Sequence, residues 1–142
     1  MEARESLLLL LSDPRRRARY SAALDRAGFR VMQAPTAAVA LTRCNREHPS
    51  VVVTDVVVPG MHGTDIARAL RACARPSREP LIIGLVGNCF DAAAEAAEAL
   101  LFDRLLNEPV STDVLVRDIR EARRRPASRR RWTTHDSRLR LA

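Results

Sequence analysis

Val51-Val52-Val53-Thr54-Asp55-Val56-Val57-Val58-Pro59-Gly60-Met61-His62-Gly63 is the stretch whose reading decides the fold. A short β-branched run with no polar alternation fits a central parallel strand, which is buried on both faces and need not alternate. The run ends in one carboxylate, Asp55, and a Pro/Gly-rich loop follows. In open α/β sheets the loops beyond the carboxyl ends of the strands are where ligands and chemistry sit. Asp55 is therefore the first candidate functional residue.

Working outward, the same logic finds four more strands. Leu7 to Leu11 is a continuous apolar run closed by Ser12-Asp13-Pro14, with Pro14 suited to the first turn of a helix and Ser12 or Asp13 to its cap. Ala18, Ala22 and Leu24 to Ala27 carry that helix to Gly28, the left-handed residue that ends it. Phe29 to Ala34 reads as a short strand near an edge. Thr36 caps a second helix that stops before His48-Pro49, because the residue before a proline resists the helical region. Thr64 is expected to cap a third helix carrying Ile66, Ala67 and Leu70.

Leu81 to Val86 gives the fourth strand, and Asp91 to about Leu101 an alanine-rich fourth helix. Leu105-Leu106 is a minimal fifth strand before Asn107-Glu108-Pro109. Ser111 and Asp113 open a fifth helix with Leu115, Ile119 and Ala122 on one stripe. Five βα units in alternation specify an α/β fold, a doubly wound parallel sheet. Right-handed crossovers favour the strand order 2-1-3-4-5, the flavodoxin-like arrangement. That order puts strands one and three side by side, so Asp13 and Asp55 are expected to converge.

Composition narrows the function. A chain of 142 residues allows one domain with a real core, plus a tail. The net charge of +7 is local: between residues 120 and 142 nine arginines face only Glu121 and Asp136, which leaves the preceding chain formally neutral. Every basic side chain is Arg and none is Lys, so no side-chain amine is available for Schiff-base or phosphate chemistry. Cys44, Cys73 and Cys89 are widely spaced and form no C-x-x-C pair, so they read as plain thiols and not as a disulfide framework or zinc site. The leucine run near the N-terminus is too short and too acidic in its flank for a secretory signal, and no apolar run approaches a membrane span. A cytoplasmic setting is expected.

Taken together, Ser12-Asp13-Pro14, Ala40-Leu41, Asp55 with Pro59-Gly60-Met61-His62-Gly63, Pro80 before Ile82-Ile83, and Glu108-Pro109-Val110 resemble the receiver domain of bacterial two-component response regulators. The resemblance spans residues 5–124. It implies a flavodoxin-like (βα)5 fold and a non-enzymatic signalling module that exchanges a phosphoryl group with a histidine kinase. It makes Asp55 the phosphoacceptor and gives Mg²⁺ the Asp55 carboxylate, the Val57 backbone carbonyl and an acidic pair after the first strand.

Carried over position by position, the rest of that pocket departs from the family. The acidic pair falls on Leu11 and Ser12, with Asp13 one residue further on as a substitute ligand. The hydroxyl of the fourth strand is Val86, the aromatic of the fifth strand is Leu105, and the lysine is Glu108. A carboxylate in place of that cation opposes an incoming dianion by about 4 kcal/mol per charge at about 4 Å and an effective dielectric near 20. Arg104 is the nearby cation that could stand in. Mg²⁺ binding is expected to be weak.

The expectation is thus a stand-alone, degenerate receiver that works as a protein-interaction module through the surface of its fourth and fifth helices. The loop histidine His62 reads as solvated. Residues 125–142 are expected to form an Arg-rich disordered tail, since one Trp132 among arginines cannot order it. Arg123 to Arg131 with Trp132 could bind nucleic acid or another polyanion. A receiver still phosphorylated on Asp55, with a rearranged metal site, is a further alternative. A metal-assisted hydrolase built on Asp55 and Asp13 lacks fixed ligands.

Overall fold

The structure is a computed structural model, and it describes residues 4–59, 61, 63–73, 80–87 and 101–124. The elements run β1 (Ser6–Leu10), α1 (Pro14–Arg26), β2 (Arg30–Ala34), α2 (Ala37–Glu47), β3 (Val51–Asp55), α3 (Gly63–Ala72), β4 (Leu81–Val86), β5 (Arg104–Asn107) and α4 (Thr112–Arg123). All strand pairs are parallel, in the order β2-β1-β3-β4-β5. The helix expected from Asp91 lies, but for Leu101, outside the described residues, as does the tail after Arg124.

The unbroken apolar runs are explained by the two faces of the sheet. Leu8, Leu10, Val52 and Ile82 pack in one layer with Ala40 and Cys44 of α2 and Ile66, Ala67 and Leu70 of α3. Leu7, Leu9, Val51, Val53 and Ile83 pack in the other with Tyr20 and Leu24 of α1 and Leu115 and Ile119 of α4. Successive residues of each strand therefore feed opposite cores, and a polar residue at any of these positions would be buried. Gly84 is needed where β4 meets β5: a Cβ there would come within 2.8 Å of Leu105 Cδ2 and 2.9 Å of the Phe102 ring.

Local chemistry sets the helix ends. Asp13 caps α1 and accepts from the Arg15 N–H, with Pro14 at the first helical position. Gly28, at φ 105°, supplies the turn after Ala27. Thr36 and Ser111 cap α2 and α4 through the N–H groups of Val39 and Val114. α2 ends at His48, which takes the left-handed conformation at φ 48°. Thr64 was expected as a cap but lies inside α3, which begins at Gly63. On the edge strand β2 the buried residues are Met32 and Ala34, while Gln33 is exposed and bonds with Arg17 and Ser21 of α1.

One charged cluster stitches the lower sheet together. Asp103 is buried, and its Oδ2 accepts from the Ile82 N–H at 2.8 Å and from Arg71 at 3.0 Å. Arg71 also donates to the Leu101 carbonyl. The end of α3 is thereby fixed to the start of β4 and β5.

Candidate functional site

The register of the sheet brings the predicted acids to one rim. Leu10 of β1 pairs with Thr54 of β3, and Asp55 pairs with Leu85 of β4, so Asp55 ends the central strand with Asp13 just past β1 beside it. On the far side, the Glu108 N–H donates to the Val86 carbonyl at 2.8 Å, which holds the residue after β5 against the end of β4. The Glu108–Pro109 peptide bond is cis. Asp55, Asp13 and Glu108 therefore share one rim, and the meeting of Asp13 with Asp55 is the one that the sequence-derived strand order requires.

The centre of that rim is a guanidinium. Arg16, the third residue of α1, donates Nη2–H to Asp55 Oδ1 at 2.8 Å and Nη1–H to Asp55 Oδ2 at 3.2 Å, a two-pronged clasp. The same Nη2 donates to Glu108 Oε1 at 2.7 Å. The remaining oxygen of Glu108, Oε2, accepts from the Tyr20 hydroxyl at 3.0 Å. Tyr20 is buried, and Arg19 stacks over its ring at 5.3 Å. The Arg16, Asp55 and Glu108 side chains are 24%, 14% and 16% exposed, so the chain Asp55, Arg16, Glu108, Tyr20 is largely shielded from water.

Charge in the pocket is unevenly matched. Burial pushes the Asp55 carboxyl up, the hydrogen bonds and charge of Arg16 pull it down, and Glu108 and Asp13 push it up again; the net direction is above the ordinary aspartate value. The Arg16 guanidinium, bonded to two carboxylates, is instead held more firmly protonated than a free arginine, chiefly by Asp55. The two directions agree physically, because one cation gains from two anions while each anion receives only a share of one cation. The Tyr20 hydroxyl is also pushed up, by burial first and then by the Glu108 charge.

The other predicted positions sit as follows. Leu11 is fully buried and Ser12 is exposed, so neither supplies a carboxylate to the rim. Asp13 is partly exposed and its Oδ1 serves as the α1 cap. Val57 is 56% exposed, Val86 and Leu105 are buried in the apolar layer, and His62 lies outside the described residues. Arg104, expected as the stand-in cation, is buried at the start of β5 and donates to the Asp103 carbonyl. It is at the wrong end of its strand, since Arg104 pairs with Ile83 while Asn107 pairs with Val86 at the rim. The cation is Arg16.

The residues do not fit a divalent metal. Mg²⁺ needs carboxylate oxygens free to face it, whereas both carboxylates nearest the centre already grip a guanidinium, and a fixed positive charge opposes a second cation. Among the described residues no group of three or more His, Cys, Asp or Glu could hold a metal ion.

Arg16 and Tyr20 are the residues that the sequence reading missed. A signal was present: Arg15, Arg16 and Arg17 occupy the first turn of α1, which has no acid there. Cations at a helix N-terminus oppose its dipole, and such a conflict between local preference and actual sequence marks a site with another purpose.

Known proteins resemble this chain both in sequence and in fold. The family model described as "Response regulator receiver domain" matches residues 10–120. Protein PilH of Pseudomonas aeruginosa is 30% identical over 77 residues, which are 54% of this chain and 64% of PilH. A response regulator signal receiver domain from Bermanella marisrubri superposes with a TM-score of 0.75 at 22% identity, covering 84% of this chain and 98% of that one. A CheY-like receiver domain from Methanospirillum hungatei JF-1 gives a TM-score of 0.74 at 22% identity, with 84% and 93% covered. At that identity the structural likeness speaks for the fold.

Proposed function

The chain belongs to the response regulator receiver domain family of two-component phosphorelay signalling, and from that premise we propose that it is a receiver whose phosphorylation pocket is closed by its own arginine. The observation that carries this reading is the Arg16 clasp on Asp55 and Glu108. Receiver domains work with histidine kinases or other signalling proteins and generally hold Mg²⁺ beside the acceptor aspartate. In this chain the guanidinium takes the place of an exchangeable cation. It divides its one charge between the acceptor and Glu108 and lies across the oxygens that would attack phosphorus, which leaves Asp55 a poor phosphoacceptor and Mg²⁺ a weak ligand.

The lost hydroxyl at Val86 and the buried Leu105 support the same conclusion. A switch needs a contact that differs between its two states. Neither an aliphatic side chain at the end of β4 nor an aliphatic one on β5 can respond to a phosphoryl group by hydrogen bonding. The protein then acts as a docking module in one fixed state, without enzymatic turnover, and of the expected docking surface on the fourth and fifth helices of the sequence the described residues contain α4. The chain spans 64% of the length of PilH, the curated relative that it matches, so partner and output are its own question. The nucleic-acid reading rests on Arg123 to Arg131 with Trp132, all of which but Arg123 and Arg124 lie outside the described residues. Among the described residues no helix is long and apolar enough to cross a membrane.

The test is labelling with acetyl phosphate and Mg²⁺. The native chain should take up no more label than Asp55→Asn. Fast, stoichiometric labelling that disappears in Asp55→Asn would overturn the proposal.

A further inference from the structure

The three cysteines are far apart in sequence, yet the fold joins two of them. Cys44 lies near the C-terminal end of α2 and is buried at 2% exposure, while Cys73 follows α3 directly and is half-buried. Both converge on one carbonyl: the Cys44 thiol lies 3.9 Å from the Leu70 oxygen, and the Cys73 N–H donates to that same oxygen at 3.3 Å. Cys73 packs against the apolar cluster that contains Cys44, so the two thiols share one layer between α2 and α3.

We propose that Cys44 and Cys73 form a reversible redox site in which a hydroperoxide converts the two thiols into a disulfide tying α2 to α3. The environments of the two sulfurs divide the roles. Cys44 is held protonated, its thiol pushed up to about 12 by burial and by its neighbour, so it does not meet the oxidant first. Cys73 is reachable from solvent. Its sulfur attacks the outer oxygen of the hydroperoxide, the O–O bond breaks, and the alcohol leaves with the thiol proton, giving a sulfenic acid on Cys73. The Cys44 sulfur then attacks the Cys73 sulfur, the S–O bond breaks, and the hydroxyl departs as water with the Cys44 proton. Two electrons pass from the thiol pair to the peroxide, and a dithiol reductant returns them by exchange.

The bond would close a loop that contains all of β3, Asp55 and α3. Crosslinking a loop of that length restricts the unfolded chain, so the oxidised protein should melt higher, by about 5–10 °C. The inference is independent of the Arg16 pocket and survives or fails separately from it.

The experiment treats the full chain, dilute and folded, with hydrogen peroxide, then titrates thiols in denaturant and maps tryptic peptides. The expected result is that two of the three thiols disappear, that the peptides carrying residues 44 and 73 become linked, and that dithiothreitol restores both thiols. Cys89→Ser should behave like the native chain, and Cys73→Ser should form no link and keep its Cys44 thiol. The proposal is overturned if Cys73 proceeds to sulfinic acid while Cys44 stays titratable, if either residue pairs with Cys89 or between molecules, or if the linked protein melts no higher than the reduced one.

Discussion

Replacing Arg16 with methionine should destabilise the protein by about 2–3 kcal/mol. Methionine keeps much of the stem volume and removes the charge. Breaking a fully buried ion pair by removing one partner costs about 3–5 kcal/mol, whereas an exposed pair is worth about 0–1 kcal/mol. With the three side chains 14–24% exposed, the pocket lies between these limits and nearer the buried one. The residual repulsion points the same way. Asp55 Oδ1 and Glu108 Oε1 both bond to one nitrogen, at 2.8 and 2.7 Å, so they lie no more than about 5.5 Å apart. Like charges at that distance repel by about 3 kcal/mol at an effective dielectric near 20. Asp55 can relieve part of this by taking up a proton, which keeps the loss below the full sum. Urea unfolding at neutral pH, followed by circular dichroism, should show the midpoint falling with an unchanged slope. Adding Asp55→Asn to Arg16→Met should recover much of the loss, because a single unpaired carboxylate remains. If Arg16→Met were within about 0.5 kcal/mol of the native protein, the range of an ordinary surface change, the guanidinium would not organise the pocket.

Three further outcomes follow from the same geometry. Because the Asp55 carboxyl is raised in the fold, its protonated form stabilises the native state below the ordinary aspartate value, and that contribution is lost as pH rises through the shifted value; Asp55→Asn should therefore raise the Tm at neutral pH, with the gain vanishing near pH ~3, and a gain independent of pH would contradict the assignment. Tyr20→Phe removes a hydrogen bond to a charged acceptor and should cost about 1.5–3 kcal/mol in denaturant unfolding, with a neutral effect counting against the Glu108 contact. Gly84→Ala forces a methyl against Leu105 and Phe102 and should destabilise by about 1–3 kcal/mol, whereas an unchanged midpoint would mean that β4 and β5 yield freely there.

Much of this architecture is legible in the sequence because it depends on local patterns. Leu7 to Leu11 and Val51 to Val53 read as strands covered on both faces, and Gly28, Thr36 and Ser111 mark helix ends by chemistry that acts over a few residues. From alternating elements the strand order follows, and with it the meeting of Asp13 and Asp55, whereas Glu108 enters through the resemblance to receiver domains. What stayed hidden depends on long side chains crossing between elements. Arg16 meets partners 39 and 92 residues away, and among so many arginines nothing in periodicity distinguishes it from Arg104. The Cys44 and Cys73 pairing is hidden for the same reason, since it is set by how α2 lies against α3. Thr64 shows the smaller failure typical of element ends, where a plausible capping residue falls one position inside the helix.

The central claim is that a built-in guanidinium holds the place where relatives keep an exchangeable cation, and calorimetric titration with Mg²⁺ tests it most directly. The native protein should give no saturable binding heat at millimolar Mg²⁺, and Arg16→Ala, with Asp55 and Glu108 released, should gain it. Saturable binding by the native chain, undiminished or lost on removing Arg16, would contradict the account.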